Sequence, residues 1–382
     1  MSNAKAAFIY SERLAGYKFS PNHPFKPARA GAVYRMCKRR NLFPPSSAEV
    51  VLVEQPRDGV LADFHTGEYI EILKRAGSGR EVDARMLFHG IGSMENPVFE
   101  GLFDFCALSA TATLKAVDMV LEGCDTAFNP CGGFHHARSD RAAGFCYTND
   151  PVLAIKKLKK SGIERIGYVD IDAHHGDGVQ DAFYDDPSVL TISTHESGRT
   201  LFPWGGFQDE MGEGDGKGYN INVPMEPGTD DNIFKMLFGS IVMDALRIYR
   251  PEIIVGVFGA DTSRRDPLTH LKMTNNGFIE SAEKLHAEFP RIIALGGGGY
   301  DSDTVVRSWT LLWVELAGLE LEAGYGGAIG GVLMGDSSID GSDLRDMRSY
   351  SSGPERQALL ERAEEMIEYY SRNIKPLIEA GG

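Results

Sequence analysis

No Cys-x-x-Cys pair occurs in this 382-residue chain, and its five cysteines, at 37, 106, 124, 131 and 146, form no even framework. That excludes a zinc ribbon and a disulfide-stapled secreted scaffold, and it fits a reducing cytoplasm. No stretch approaches the ~20 apolar residues needed to cross a bilayer, and the N-terminus shows no basic segment followed by an apolar run. A soluble cytoplasmic protein with no membrane partner is expected. Dense Lys/Arg clusters are also missing. Only Lys38-Arg39-Arg40 and the Lys156 to Lys160 run stand against a formal net charge of −15, so nucleic acid is not expected as the main partner. Internal repeats and low-complexity linkers are absent, although the Gly- and Ser-rich stretch 323–342 reads as a long loop.

What is present is enough apolar residue, 42% against 24% charged, to build a large core. Short apolar segments recur with helical segments between them: Ala7–Tyr10, Val50–Val53, Thr126–Asn129, Ile166–Ile171, Val189–Ser193, Ile253–Phe258 and Ile292–Leu295. This alternation predicts an α/β fold with a mainly parallel sheet covered by helices on both faces. Apolar residues at helical spacing predict a helix over 230–250, capped by Thr229 or Asp230, whose Phe and Met stripe faces the core. Further helices are predicted over 105–121, ended by Gly123, and over 354–374. Long loops near 86–104 and 194–220 are candidates for a functional mouth.

The window Asp170-Ile171-Asp172-Ala173-His174-His175-Gly176-Asp177 follows an apolar strand. Side chains alternate along a strand, so Asp170 and Asp172 project to one side while Ile171 returns to the core. Two carboxylates that close need a cation or a proton, and His174 adds a nitrogen ligand. In open parallel sheets ligands bind beyond the carboxyl ends of the strands, and three other strands also run into chemistry. One leads to His135 and His136, one to Asp261 and one to Gly296-Gly297-Gly298-Gly299-Tyr300. Taken singly these are weak signals: paired histidines are usually structural, and Asp261 reads first as a helix cap. The glycine run lacks the pattern of a phosphate loop and reads as tight packing around Tyr300. Jointly they give a metal triad, two histidines and a tyrosine.

Four segments, GGFHHARSDRAAGFCYTND, YVDIDAHHGDGVQDAFY, GADTSRRDPLTHLKMT and LGGGGYD, resemble in order the signatures of the histone deacetylase superfamily. SPNHPFKPAR and DFHTGEYI match its opening motifs, and HPFKPAR, ENPVF and DPLTHL are most similar to the prokaryotic acetoin-utilisation type, close to class I deacetylases. The resemblance covers about residues 5 to 312 and implies the three-layer arginase/deacetylase fold, with an eight-stranded, mainly parallel sheet. It implies a single deacetylase domain over 1–382, the last segment from 313 being a C-terminal loop and helix. Carried over residue by residue, Asp172, His174 and Asp261 match the zinc ligands, though Fe²⁺ tolerates the same set. His135, His136 and Tyr300 match the catalytic residues, with Asp170 and Asp177 orienting the histidines. The implied chemistry is a polarised amide carbonyl, His136 moving protons, His135 supplying charge and Tyr300 donating to the oxyanion. Gly144, Phe145 and Phe202 match the walls of a tunnel for an aliphatic chain, and Arg29 an arginine of the acetate channel. Potassium sites are implied at Asp170, Asp172, His174, Ser193 and Thr194, and at Phe183, Val189 and Tyr219. Glu95 stands where many class I members carry an Asp that grips the substrate backbone; it either reaches that amide with a longer arm or faces a different substrate. Trp204 is a second departure at the rim.

The expected activity is therefore a metal-dependent amide hydrolase removing acyl groups, foremost acetyl, from lysine ε-amines of proteins or peptides. An acetylpolyamine amidohydrolase is the alternative, since an acidic protein attracts cationic amines. A binuclear arginase-like enzyme needs a further carboxylate where this chain has Gly176. A non-catalytic acyl-lysine binder has no use for His136 and Tyr300 beside a full ligand triad.

Overall fold

Eight strands carry the apolar segments: β1 (Ala6–Tyr10), β2 (Ala48–Leu52), β3 (Thr126–Asn129), β4 (Ile166–Asp170), β5 (Val189–Glu196), β6 (Asn220–Met225), β7 (Ile253–Val257) and β8 (Ile292–Leu295). In this computed structural model, which describes residues 5–20, 22–79, 81–321, 344–348 and 350–381, they form one sheet in the order β2-β1-β3-β8-β7-β4-β5-β6. All seven pairings are parallel. The period-2 alternation is visible in β1, where Ala6, Phe8 and Tyr10 enter one apolar core and Ala7 and Ile9 the other. The first core lies under the helices Ala28–Arg39, Asn275–Glu288 and Ser302–Leu316, the second under Leu102–Leu121 and Asp150–Lys160. Three layers result, helix on sheet on helix. No described helix is long and apolar enough to cross a membrane.

The predicted elements hold with three differences. β6 was not expected, because Asn220, Asn222 and Pro224 make its sequence unlike a strand. It tolerates them as the last strand of the sheet, where a proline costs no ladder bond on its open side. The helix expected over 230–250 is capped by Asp230, which accepts from the backbone of Asn232 and Ile233, but a π-turn at Phe238–Val242 divides it. It ends where Arg250 turns left-handed at φ 53°. The C-terminal helix contains a similar turn at Tyr370–Ile374 and continues as Lys375–Gly381. The loop expected at 323–342 lies outside the described residues.

The strands that sequence reading connected with chemistry, β3, β8, β7 and β4, are consecutive in the sheet. Their carboxyl ends therefore open side by side, and the residues that follow them share one crevice.

Candidate active site

Asp172, His174 and Asp261 come together as a buried group whose donor atoms lie within 4.8 Å of one another. His174 Nδ1 is 3.2 Å from Asp172 Oδ1 and 3.0 Å from Asp261 Oδ2. Burial opposes charge on the His174 ring, yet its bonds to Asp172 and Asp261 raise its pKa to about 10. Burial and the Asp172 carboxylate push Asp261 up as well. Two buried carboxylates thus require a positive charge between them, which a proton on His174 supplies in the metal-free protein and a divalent cation would displace. The donor set fits such an ion.

The glycine run has its explanation here. Gly298 N–H donates to Asp172 Oδ2 at 2.5 Å, and a Cβ at Gly298 would sit 1.9 Å from Asp261 Oδ2. Gly297 and Gly299 are left-handed, at φ 109° and 126°. Only glycine lets the backbone pass this close to the carboxylates before it delivers Tyr300.

His135 and His136 lie beside this group, their Nε2 atoms 3.0 Å apart. Each is held from behind: His135 Nδ1 is 2.7 Å from Asp170 Oδ2, and His136 Nδ1 is 2.7 Å from Asp177 Oδ1. Burial works to strip His135 of charge, but the Asp170 and Asp172 carboxylates outweigh it and raise its pKa to about 9. For His136, burial and the neighbouring His135 win over Asp177 and push the pKa down to about 4. One ring is therefore an imidazolium at neutral pH and the other a neutral base. With Nδ1–H committed to Asp177, His136 carries its lone pair at Nε2, which here accepts the Nε2–H of His135. The Tyr300 ring stands edge-on to His174 and to Phe145, 6.3 and 5.7 Å away.

A protein-family model described as "Histone deacetylase domain" matches residues 23–316. The chain belongs to the histone deacetylase family. Among curated relatives it is 38% identical over 322 residues to acetoin utilization protein AcuC of Bacillus subtilis, covering 82% of this chain and 83% of that one. It is also 38% identical over 313 residues to histone deacetylase 9 of Arabidopsis thaliana, covering 81% and 72%. A solved deacetylase homologue from Aquifex aeolicus superposes with a TM-score of 0.82 at 34% identity, covering 94% of this chain and 100% of that one. A deacetylase homologue solved in complex with SAHA gives 0.83 at 34%, covering 94% and 99%. This deacetylase-family chain is a hydrolase of the deacetylase type on the arginase/deacetylase fold.

The residues expected to wall a tunnel flank the site: Phe202 is edge-on to His136 at 5.1 Å, and Phe145 packs on Tyr300. Gly144 lies between them, where a Cβ would be 2.3 Å from His136 Cδ2 and 2.9 Å from Phe202 Cε1. Arg29 is buried behind the glycine run, donating to the carbonyls of Gly297 and Gly299 and stacked over Phe25 and Trp309. The potassium expectations separate into two places. Ser193 and Thr194 lie at the far end of β5, with Thr194 Oγ1 donating to the Asp170 carbonyl at 3.1 Å. Val189 opens the same strand, and Phe183 and Tyr219 are buried like it.

Several supporting residues were not anticipated. Tyr168 donates to Asp170 Oδ2 at 2.5 Å; it lies two residues earlier on the same face of β4, so strand alternation would have found it. Arg138 Nη1 bonds Asp177 Oδ2 at 3.0 Å. Asp150 receives the backbone N–H of Gly133 and Phe134, just ahead of the histidines. Asp266 receives the N–H of Tyr300 at 2.7 Å. Glu210 accepts from Gly206 and Phe207 N–H and from Gln180 Nε2, which anchors the loop carrying Phe202. Asp150 and Asp266 bind backbone groups distant in sequence, and no local spacing encodes such contacts; Glu210 binds N–H groups three and four residues before it and ties them to the Gln180 side chain, 30 residues away.

Proposed function

We propose that the protein hydrolyses the amide of Nε-acetyl-lysine in proteins or peptides, giving lysine and acetate, with a zinc ion held by Asp172, His174 and Asp261. The observation that carries this reading is the tandem His135–His136 pair, each ring oriented by its own carboxylate, one driven toward the charged and the other toward the neutral form, beside a buried two-carboxylate, one-imidazole group. Pairs of titratable groups pushed apart in this way mark acid–base work. Asp172, His174 and Asp261 would hold a divalent cation, which would supply the positive charge to polarise the amide carbonyl and acidify a water. Neutral His136 takes the proton of the attacking water at Nε2 while Asp177 holds its Nδ1–H. The ring, now protonated, returns a proton to the departing lysine amine. His135 remains charged through Asp170 and supports the negative charge that develops at the carbonyl. Tyr300, whose hydroxyl is pushed up by burial and by Asp261 and Asp172, stays protonated and donates to the oxyanion. We extend the proposal to one deacetylase domain spanning the whole chain.

The deciving comparison is turnover of the zinc-reconstituted enzyme on an acetyl-lysine peptide and on N-acetylated polyamines side by side, with His136→Ala as control. Turnover of the peptide that disappears in the variant is expected. Preference for the polyamine keeps the mechanism and moves the substrate, whereas no turnover of either removes the reading.

Trp204 is the rim feature that bears on substrate. It is 64% exposed and left-handed at φ 68°, a conformation that costs an L-residue about 1–2 kcal/mol. A bulky residue kept strained and bare two positions after Phe202 is read here as a platform for the residue flanking the acyl-lysine. Trp204→Gly relieves that strain, which roughly offsets the ~1 kcal/mol entropic cost of glycine. Thermal melting should therefore stay near the wild type, while KM for the peptide rises about fivefold, the value of one aromatic contact. An unchanged KM would remove Trp204 from recognition.

A further inference from the structure

For Glu95 two expectations stood open: a carboxylate reaching the substrate amide through a longer arm, or a rim facing a different substrate. The Glu95 carboxylate is engaged inward instead: Oε1 accepts the backbone N–H of Gly144. Gly144 and Phe145 are the central pair of a tight hairpin in which Ala143 N–H donates to Cys146 O at 3.0 Å and Cys146 N–H to Ala143 O at 2.8 Å. Both central residues are left-handed, at φ 54° and 66°, the signature of a type I′ turn. Such a turn leaves the N–H of its first central residue without a partner in the hairpin, and Glu95 provides one. The main chain of the same residue fixes the other side of the wall. Glu95 O is 3.0 Å from His23 Nε2, and His23 Nδ1 receives Phe25 N–H at 3.1 Å, so the hydrogen is on Nε2 and donates to Glu95. The His23 ring, 3% exposed, packs edge-on against Phe145 with centroids 4.7 Å apart.

From this geometry we infer that Glu95 is a positioning residue for the Gly144–Phe145 wall, acting on every acyl-amine that enters the tunnel, and not a clamp for a peptide backbone. The inference rests on the deacylase reading for its substrates but not for its geometry. The turn has little room to relax, because Gly144 is packed against His136 and Phe202. Swinging the carboxylate outward to a substrate amide would leave Gly144 N–H without its acceptor. Beyond the tunnel the rim offers apolar surface, Met94 at 97% and Trp204 at 64% exposure, which carries no requirement for a peptide group.

The test compares Glu95→Ala and Glu95→Gln on an acetyl-lysine peptide and on monoacetylated 1,5-diaminopentane, which is the acetyl-lysine side chain without a backbone. Glu95→Ala should lower kcat/KM on both substrates by the same factor, roughly tenfold to a hundredfold, as expected for a displaced wall. Glu95→Gln keeps an oxygen for Gly144 N–H and should stay within about threefold of the wild type. A loss confined to the peptide, or an equal loss in both variants, overturns the inference. Hydrogen–deuterium exchange over residues 142–147 needs no turnover: slow exchange at Gly144 in the wild type and Glu95→Gln, and fast exchange in Glu95→Ala, is expected. Fast exchange in the wild type overturns the inference, whereas slow exchange in a protein inactive on both substrates overturns only the deacylase reading.

Discussion

Asp261→Asn should abolish zinc binding and turnover together while leaving the metal-free protein folded. Asp261 is completely buried, with Oδ2 facing His174 Nδ1 at 3.0 Å and Oδ1 receiving Ala173 N–H at 2.9 Å. Alanine would remove the proposed ligand and also strand that N–H, an added loss of about 1–3 kcal/mol that confuses folding with metal binding. Asparagine keeps an acceptor for Ala173 and removes the charge. In the metal-free protein burial and Asp172 act against the Asp261 carboxylate while His174 favours it, so neutralising it removes a repulsion and an ion pair together and leaves the packing unchanged. The functional effect is the larger one. Loss of one of three ligands should weaken zinc by well over the ~10–100-fold typical of outer-shell partners. Zinc at about a thousand times its dissociation constant stabilises a protein by about 4 kcal/mol, so melting curves with and without zinc give the answer directly. The wild type should shift upward and the Asn variant should not. An Asn variant that still gains stability from zinc would remove Asp261 from the ligand set.

How much of this was legible beforehand follows from the range over which each interaction acts. The alternation in β4 put Asp170 and Asp172 on one side, and the structure has both near His135, Asp170 at 2.7 Å and Asp172 at 4.0 Å. Strand-end chemistry at β3, β4, β7 and β8 was readable because a parallel sheet delivers all its carboxyl ends to one edge; that these four are neighbours is a property of strand order, which local sequence does not carry. Residues proposed to act through their own side chains, such as His136 or Tyr300, stand out by type. Asp150 and Asp266 are ordinary helix-start and loop acids whose partners are backbone N–H groups 16 and 34 residues away. They become visible only once the chain has been folded. Glu95 shows the converse: its position beside the mouth was anticipated, but the direction of its carboxylate depends on the unpaired Gly144 N–H, an orphan created by a turn 49 residues away.

Tyr300→Phe should lower kcat by roughly 10²–10³-fold, the cost of one oxyanion donor, with zinc content and melting temperature unchanged. The substitution is close to isosteric. Tyr300 is fixed by its backbone N–H on Asp266 and by edge-on contacts with Phe145 and His174, all of which phenylalanine keeps. What is lost is a hydroxyl with its proton firmly attached, since burial and the nearby carboxylates push its pKa well above the usual phenol value. A group used only as charge builds on the carbonyl oxygen should affect kcat and kcat/KM equally and leave KM nearly constant. His136→Ala gives the contrast, because it removes a base and packing against Phe202, so its loss should deepen as the leaving amine becomes more basic. The Tyr300→Phe deficit depends on the carbonyl and should be nearly the same for an activated coumarin amide and for acetyl-lysine itself. Turnover retained in Tyr300→Phe, or a deficit that follows the leaving group, would transfer oxyanion support from Tyr300 to another donor of the crevice.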